Sequence, residues 1–327
     1  MKIKKSVRHN IAYFIALFLL AFFKAMPRSI GIVLAKSLAM LYYAVARSDR
    51  KNTIHHLTMA FGAEKSPEEI RQIARDVFLH LAVAGVDAIR IPIYIENDID
   101  RFITTKNLHF LEKAHNDEKG FLLLTGHFGN WELMGAWVAQ KKFHLHVVGA
   151  AMSNQKLSEK IADLRNRAGY INIERGRATR GIIKALKDGF PVAMLIDQDT
   201  KAKGVFVDFF GIKAHTPIGP ALLAKMMDVP ILPMAMHLKE DQTSYEMECF
   251  EPLWYIDTGD KEKDVTTLTQ KCSDVYEQMI RQHPEQWVWM HRRWKKQPGD
   301  ALKKKFLLSD MPAGNIQKSG SIGFQSH

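Results

Sequence analysis

Residues 120–137, Gly-Phe-Leu-Leu-Leu-Thr-Gly-His-Phe-Gly-Asn-Trp-Glu-Leu-Met-Gly-Ala-Trp, constrain the fold of this chain more than any other stretch. Phe121, Leu122, Leu123 and Leu124 are apolar without alternation and stand between Gly120 and Gly126. A run of this kind suits a strand buried on both faces, as in a parallel or mixed sheet covered by helices. The polar residues His127, Gly129 and Asn130 follow at its C-terminal end. Asn130 is a good N-cap, and Leu133, Met134 and Trp137 continue as a helix to about Gln140. The unit reads as strand, turn, helix.

Two residues five apart inside one helix point about 140° away from each other. His127 and Glu132 therefore meet only if His127 precedes the helix and Glu132 lies in its first turn. In that arrangement the carboxylate is expected to hold one ring nitrogen and leave the other free as a base. The positive end of the helix favours the ionised carboxylate, and the carboxylate favours the imidazolium formed when the base takes a proton.

A helical region precedes this unit, and the strand-helix alternation continues after it. Ser66-Pro67-Glu68-Glu69 combines an N-cap, a proline at the first helical position and a capping-box glutamate, followed by one apolar face at Ile70, Ile73, Val77 and Leu81. Residues 108–114 read as a short helix, 144–149 as a strand, and Ser153-Asn154 as the cap of a helix carrying Leu157, Ile161 and Leu164. Strands are expected at 191–196, 230–237 and 244–250, Thr216-Pro217 reads as the start of another capped helix, and a further helix is expected over 264–282. His144 and His146 share one strand face, but no third ligand stands at a suitable spacing, so they read as surface or structural histidines and no metal is expected. The fold class is α/β, with a mixed, largely parallel central sheet flanked by helices. The length of 327 residues and 46% hydrophobic content suit one large core. The expected organisation is an N-terminal membrane-associated helical segment over 1–50, an α/β domain over 51–297, and a flexible Gly-, Ser- and Lys-rich tail over 298–327. With two cysteines and no Cys-x-x-Cys, neither a disulfide framework nor a thiolate metal site is expected.

The net charge of +11 is concentrated at the ends. Lys2, Lys4, Lys5 and Arg8 open the chain, and residues 291–305 carry seven Lys or Arg against Asp300. No zinc-finger spacing, basic zipper or RNA-recognition signature accompanies them, so nucleic acid is not the expected partner. The first cluster directly abuts residues 11–23, thirteen residues without a charge, which points to an anionic membrane surface. At 1.5 Å per residue those thirteen cover roughly 20 Å of a 30 Å hydrocarbon core. Lys24 and Arg28 stand where a signal peptide would need small residues, and a second apolar stretch, 30–46, lies beside the first. The reading is an uncleaved anchor, interfacial or shallowly inserted, with its basic flank on the cytoplasmic side.

Two further blocks carry polar chemistry. Around Arg175, Arg177 and Arg180, residues 165–187 hold seven Lys or Arg against one Glu, and an arginine-rich loop opening a helix suits a phosphate. Asp197-Gln198-Asp199 stands at the C-terminal end of the 191–196 strand, where open α/β sheets place their crevices. Its carboxylates read as groups that orient loop arginines or bind sugar hydroxyls. Near the end, Pro-Glu-Gln-Trp-Val-Trp-Met-His-Arg-Arg-Trp (284–294) sets three tryptophans beside basic residues, which suits stacking on bases and equally a membrane interface. No dinucleotide fingerprint, Walker loop or Gly-x-Ser-x-Gly elbow is present. That removes a nucleophilic serine and argues for direct transfer without a cofactor.

His-Phe-Gly-Asn-Trp-Glu (127–132), preceded by a strand and followed by an apolar helix, resembles the His-x4-(Asp/Glu) block of the bacterial lipid A biosynthesis acyltransferases, within the lysophospholipid acyltransferase superfamily. Arg175 in its loop, the run from Asp197 through Val-Phe-Val-Asp-Phe-Phe-Gly (205–211) to Thr216-Pro217, and the 284–294 block resemble the same family over roughly residues 10–297. The resemblance implies His127 and Glu132 as the catalytic pair and Arg175 as a substrate-binding residue, and Asn130, Arg177, Arg180, Gln198 and Asp199 are read as substrate-binding residues beside them. It also implies acyl carrier protein as thioester donor and a lipid A precursor or related glycolipid as acceptor, at the cytoplasmic side of the inner membrane. His127 would take the proton of the acceptor hydroxyl as that oxygen attacks the thioester. Turn amides around Gly129, with Asn130 or Arg175 nearby, would hold the oxyanion. Acylation of another lipid, such as a lysophospholipid or a phosphatidylinositol mannoside, and a non-catalytic membrane-surface protein are the alternative readings.

Overall fold

The computed structural model describes residues 5–117, 119–149, 154–174 and 178–299. Ser153, Arg175, Arg177 and the tail beyond Gly299 lie outside them. The chain opens with two apolar helices, α1 (Lys5–Ala25) and α2 (Arg28–Val45), separated at Pro27 as a proline there requires. With 21 residues α1 extends on both sides of its uncharged stretch and is roughly 31 Å long. Both helices are long and apolar enough to cross a membrane. Helices α3 (Arg47–Phe61), α4 (Pro67–Ile89) and α5 (Ile91–Glu96) follow. Helix α4 begins with the expected capping box, the Ser66 amide donating to Glu69 Oε2 over 2.7 Å and the Glu69 amide to Ser66 Oγ over 3.3 Å.

A seven-stranded sheet forms the centre. In chain order its strands are β1 (Ile103–Lys106), β2 (Leu122–Thr125), β3 (His146–Gly149), β4 (Ile171–Glu174), β5 (Val192–Leu195), β8 (Ile231–Leu238) and β9 (Tyr245–Cys249). Across the sheet they run β1-β9-β8-β2-β5-β3-β4, and every neighbouring pair is parallel except β8 with β9. This is the mixed, largely parallel sheet expected from the buried apolar run. In β2 successive side chains alternate between two cores. Leu122 and Leu124 face one with Val192, Ile231, Tyr276 and Trp287, whereas Phe121 and Leu123 face the other with Leu133, Trp137, Leu232 and Met247. Helices α6 (His109–Asn116), α7 (Trp131–Gln140), α8 (Gln155–Arg167), α9 (Ala178–Lys187), α10 (Gly219–Met227) and α11 (Lys261–Gln282) flank the sheet, and β6 (Gly204–Phe209) with β7 (Ile212–Pro217) makes a separate antiparallel hairpin.

Three local expectations are corrected. Thr216 and Pro217 end β7, and α10 starts at Gly219 without a side-chain cap, because the Thr216 hydroxyl accepts a bond from Arg293 Nη2. Asn154 stands at the N-cap position of α8, yet its amide donates instead to the His9 carbonyl of α1 over 2.8 Å. Trp287, Trp289 and Trp294 are buried, with Trp287 and Trp289 packed edge to face, so they belong to the core and not to a membrane interface.

Candidate active site

The turn after β2 is fixed by backbone bonds that leave little freedom. Gly129 takes φ +56°, and a Cβ there would lie 1.6 Å from the Met236 carbonyl oxygen, so only glycine lets the turn pass over β8. The Gly129 amide donates to Gln286 O over 2.8 Å, the Asn130 amide to Met236 O over 3.1 Å, and the Val288 amide to His127 O over 3.2 Å. The closing 284–294 segment thus lies against the turn, bridged at Phe128 and Trp287. Asn130 caps α7 as expected, accepting from the Leu133 amide over 3.1 Å. Its own amide donates into the core, to Ala84 O over 3.2 Å and to the Tyr245 hydroxyl at 3.5 Å. Asn130 holds the turn, and the backbone amides of Gly129 and Asn130 are committed, which corrects the expectation that they face an oxyanion.

The carboxylate that holds His127 is Asp197. In the parallel pair β2 and β5 the last register partners are Thr125 and Leu195, so two residues further along each strand His127 and Asp197 stand opposite one another. Nδ1 of His127 donates to Asp197 Oδ1 over 2.9 Å, while Oδ2 accepts from the His127 amide at 2.7 Å and from Trp287 Nε1 at 2.9 Å. Burial alone would raise the Asp197 carboxyl, but the His127 charge and these donors hold it down at about 2. Burial would lower His127, and the Asp197 charge and hydrogen bond offset this and leave its pKa raised. With Nδ1 on Asp197, Nε2 has no hydrogen-bond partner among the described residues, and the ring is 27% exposed. Such a nitrogen can act as a base.

Glu132 does not bond the ring, which corrects the expected pairing. At the second position of α7 its carboxylate reaches Arg165 on α8, with Nε donating over 3.0 Å and Nη2 donating to the other oxygen, and Tyr170 before β4, whose hydroxyl donates over 2.5 Å. A bidentate guanidinium satisfies a carboxylate better than an imidazole. Burial would raise the Glu132 carboxyl, yet Arg165 and Tyr170 keep it lowered. Its charge still acts on His127, adding to the rise in the ring's pKa.

Gln198 connects the remaining parts. Its amide nitrogen lies 3.0 Å from His127 Nδ1 and 2.7 Å from His291 Nε2, so it donates to His291. Burial, and then the neighbouring His127 charge, lower the His291 pKa and favour the neutral ring that accepts this bond. Asp199 is turned away from the ring toward His215, at 3.2 Å, and Lys296, at 2.9 Å. Arg180 is exposed in the first turn of α9, while Arg175 and Arg177 are outside the described residues. Sequence reasoning missed Arg165, Tyr170, Trp287 and His291, and it gave Asp197 the wrong partner. The signal for Asp197 was present, since a polar residue two positions past an apolar strand repeats in both central strands.

The sequence profile of the bacterial lipid A biosynthesis acyltransferases matches residues 1–296. Among curated proteins, the lipid A biosynthesis lauroyltransferase of Escherichia coli is 26% identical over 76% of this chain and 80% of its own length. The Escherichia coli lipid A biosynthesis palmitoleoyltransferase is likewise 26% identical, over 76% and 78%. A phosphatidylinositol mannoside acyltransferase of Mycobacterium tuberculosis is 26% identical over 61% of this chain, and the chain spans only 62% of that relative's length. The matched span contains the β2 turn, the α8 arginine, the end of β5 and the closing segment, and with them every group described above. The chain belongs to the bacterial lipid A biosynthesis acyltransferase family.

Proposed function

We propose that this protein is a membrane-associated O-acyltransferase that moves a fatty acyl chain from an acyl thioester, carried by acyl carrier protein, to a hydroxyl of a lipid A precursor or related glycolipid. One observation carries the reading: a partly exposed imidazole at the C-terminal end of the central strands whose Nδ1 is held by a buried carboxylate and whose Nε2 has no hydrogen-bond partner among the described residues. In the reaction Nε2 of His127 takes the acceptor hydroxyl proton while the oxygen attacks the thioester carbonyl carbon. Asp197 stabilises the resulting imidazolium. The tetrahedral intermediate collapses with loss of the thiolate, which takes the proton from His127 to leave as thiol. Gln198, whose amide touches both rings, is the donor assigned to the oxyanion. Glu132 contributes its charge and positions Arg165. Arg175, Arg177 and Arg180 are assigned to an anionic part of a substrate, and the two apolar N-terminal helices to the cytoplasmic side of the inner membrane.

The mycobacterial relatives favour a second reading, in which the acceptor is a different glycolipid. Incubating the protein and its native membranes with labelled acyl carrier protein thioester, then determining the mass of the acylated lipid, separates the two. An acylated lipid A precursor is the expected product, and an acylated inositol or glycerol lipid would replace it with the second reading. His127→Ala should lower transfer by roughly 10²- to 10⁴-fold. Transfer that survives this change would remove the enzymatic reading.

A further inference from the structure

An open pocket of about 760 Å³ lies outside the groups used in the transfer chemistry above. Asp199, Thr200, Lys201 and Ala202 form one wall, and Lys295 and Lys296 the other. Both walls continue segments that touch His127. Asp199 follows Gln198 directly, and Lys295 stands four residues after His291. From Gln198 to Lys201 is at most roughly 11 Å of extended chain.

The charges in this pocket are unequal in kind. Lys296 is fixed, with Nζ 2.9 Å from Asp199 Oδ1 and donating also to the Thr200 carbonyl, and its backbone amide donates to Asp199 Oδ2 over 3.0 Å. Asp199 is the one acidic group in the lining, and it is engaged by Lys296 and His215. Lys201 and Lys295 are exposed and have no acidic partner among the described residues, and neither have Lys203 and Arg292 close by in the chain. Uncompensated cationic groups around a pocket attract a multiply charged anion, and lysine meets phosphate as a point charge without needing a planar fork.

We propose that this pocket binds a phosphate group of a substrate, an inference that rests on the acyl-transfer reading. The same chemistry has two sources: the phosphate of a pantetheine arm carrying the thioester, and a phosphate on an anionic glycolipid acceptor. The test uses the full-length protein in membranes and the double variant Lys201→Glu/Lys295→Glu, neither residue being part of the transfer machinery. The variant should raise KM for the phosphate-bearing substrate about tenfold or more with little change in kcat, and the difference should shrink as salt is raised. Acyl-phosphopantetheine is compared with acyl-pantetheine, and a phosphorylated acceptor with its dephosphorylated form. Loss of the difference between wild type and variant on removing the donor's phosphate assigns the site to the donor, and the same result for the acceptor assigns it to the lipid. Equal KM values in wild type and variant, or the same rise with substrates that lack phosphate, would overturn the proposal. Failure of the acyl-transfer reading has a separate signature, wild-type protein that esterifies nothing from any thioester. Even then, phosphorus NMR of added inorganic phosphate should show binding to the wild type that weakens about tenfold in the variant. Equal binding would again overturn the site.

Discussion

At His127 two effects oppose each other. Burial disfavours the imidazolium, and the Asp197 carboxylate favours it strongly enough to leave the pKa raised above the ordinary value near 6.5. A base must be unprotonated to act, so transfer should rise with pH through that raised pKa. Asp197→Asn removes the negative charge that raises it. Its acid limb should therefore move to lower pH, while the rate falls by roughly 10²- to 10⁴-fold because the imidazolium is no longer stabilised. Asparagine at 197 keeps one acceptor for Nδ1 but sets an amide nitrogen against the His127 amide or Trp287 Nε1, so a melting curve should accompany the pH–rate profile. Glu132→Gln should behave differently. It leaves the Nδ1 bond intact, takes an ionic partner from Arg165, and should cost about tenfold in rate with a smaller shift of the same limb. Adding Arg165→Gln to it should be less than multiplicative, because the two side chains act as a pair. Equal losses and equal shifts for Glu132→Gln and Asp197→Asn would return Glu132 to the role of the carboxylate that holds the ring.

Among the elements, the β2–α7 unit shows what was legible and what was not. Its strand, its cap at Asn130 and the end of its helix at Gln140 follow from neighbouring residues, and the structure has them within a residue. The partner of His127 depends on which strand lies next to β2. That neighbour is β5, seventy residues away, while β3 and β4, which come between them in sequence, lie farther out in the sheet. No local pattern encodes such an order. The same holds for Trp287 and His291, which reach the turn only because the closing segment folds back on it. Glu132 was misassigned for a related reason, since its competing partner, Arg165, becomes its neighbour only through packing of α8 beside α7. The turn itself yields a sharp test. Gly129→Ala would force a positive φ on an L side chain, at about 1–2 kcal/mol, and drive Cβ into the Met236 carbonyl. The turn must then shift, and a displacement of about 1 Å at the reacting ring is enough for a 10²-fold loss. Transfer at that level or below, with membrane attachment unchanged, is the expected result. Near wild-type turnover would mean that the turn is not the rigid support inferred here.

For the molecule as a whole, α1 and α2 are part of the fold and are also long and apolar enough to cross a membrane. Their outer surface carries Phe14 at 64%, Phe18 at 65%, Val33 at 64% and Leu41 at 61% exposure, a pattern expected of a face covered by lipid. Their inner side is tied down by an ion pair. Arg28 grips Asp87 of α4 with two bonds of 2.8 Å, and Asp87, fully buried, also accepts from Tyr94 over 2.5 Å and Tyr245 over 2.7 Å. Tyr245 in turn stands 3.5 Å from Asn130, so α2 and the active-site turn share one polar network. Deleting residues 1–46 should therefore do two things at once. It should release the protein from membranes, and it should strand a buried carboxylate, which costs about 3–5 kcal/mol. The two consequences separate by substitution. Phe14, Phe18, Val33 and Leu41 changed together to Ser remove apolar contacts with the bilayer, worth roughly 1.5–3 kcal/mol for each large side chain, while keeping Arg28 on Asp87. This variant should move to the soluble fraction in high salt and keep its melting temperature in detergent. The deletion should melt lower, and Asp87→Asn within the deletion should recover part of the loss by removing the unpaired charge. If the four-serine variant stayed with the membrane fraction in high salt, the attachment would lie outside α1 and α2, and the exposed apolar face would need another partner.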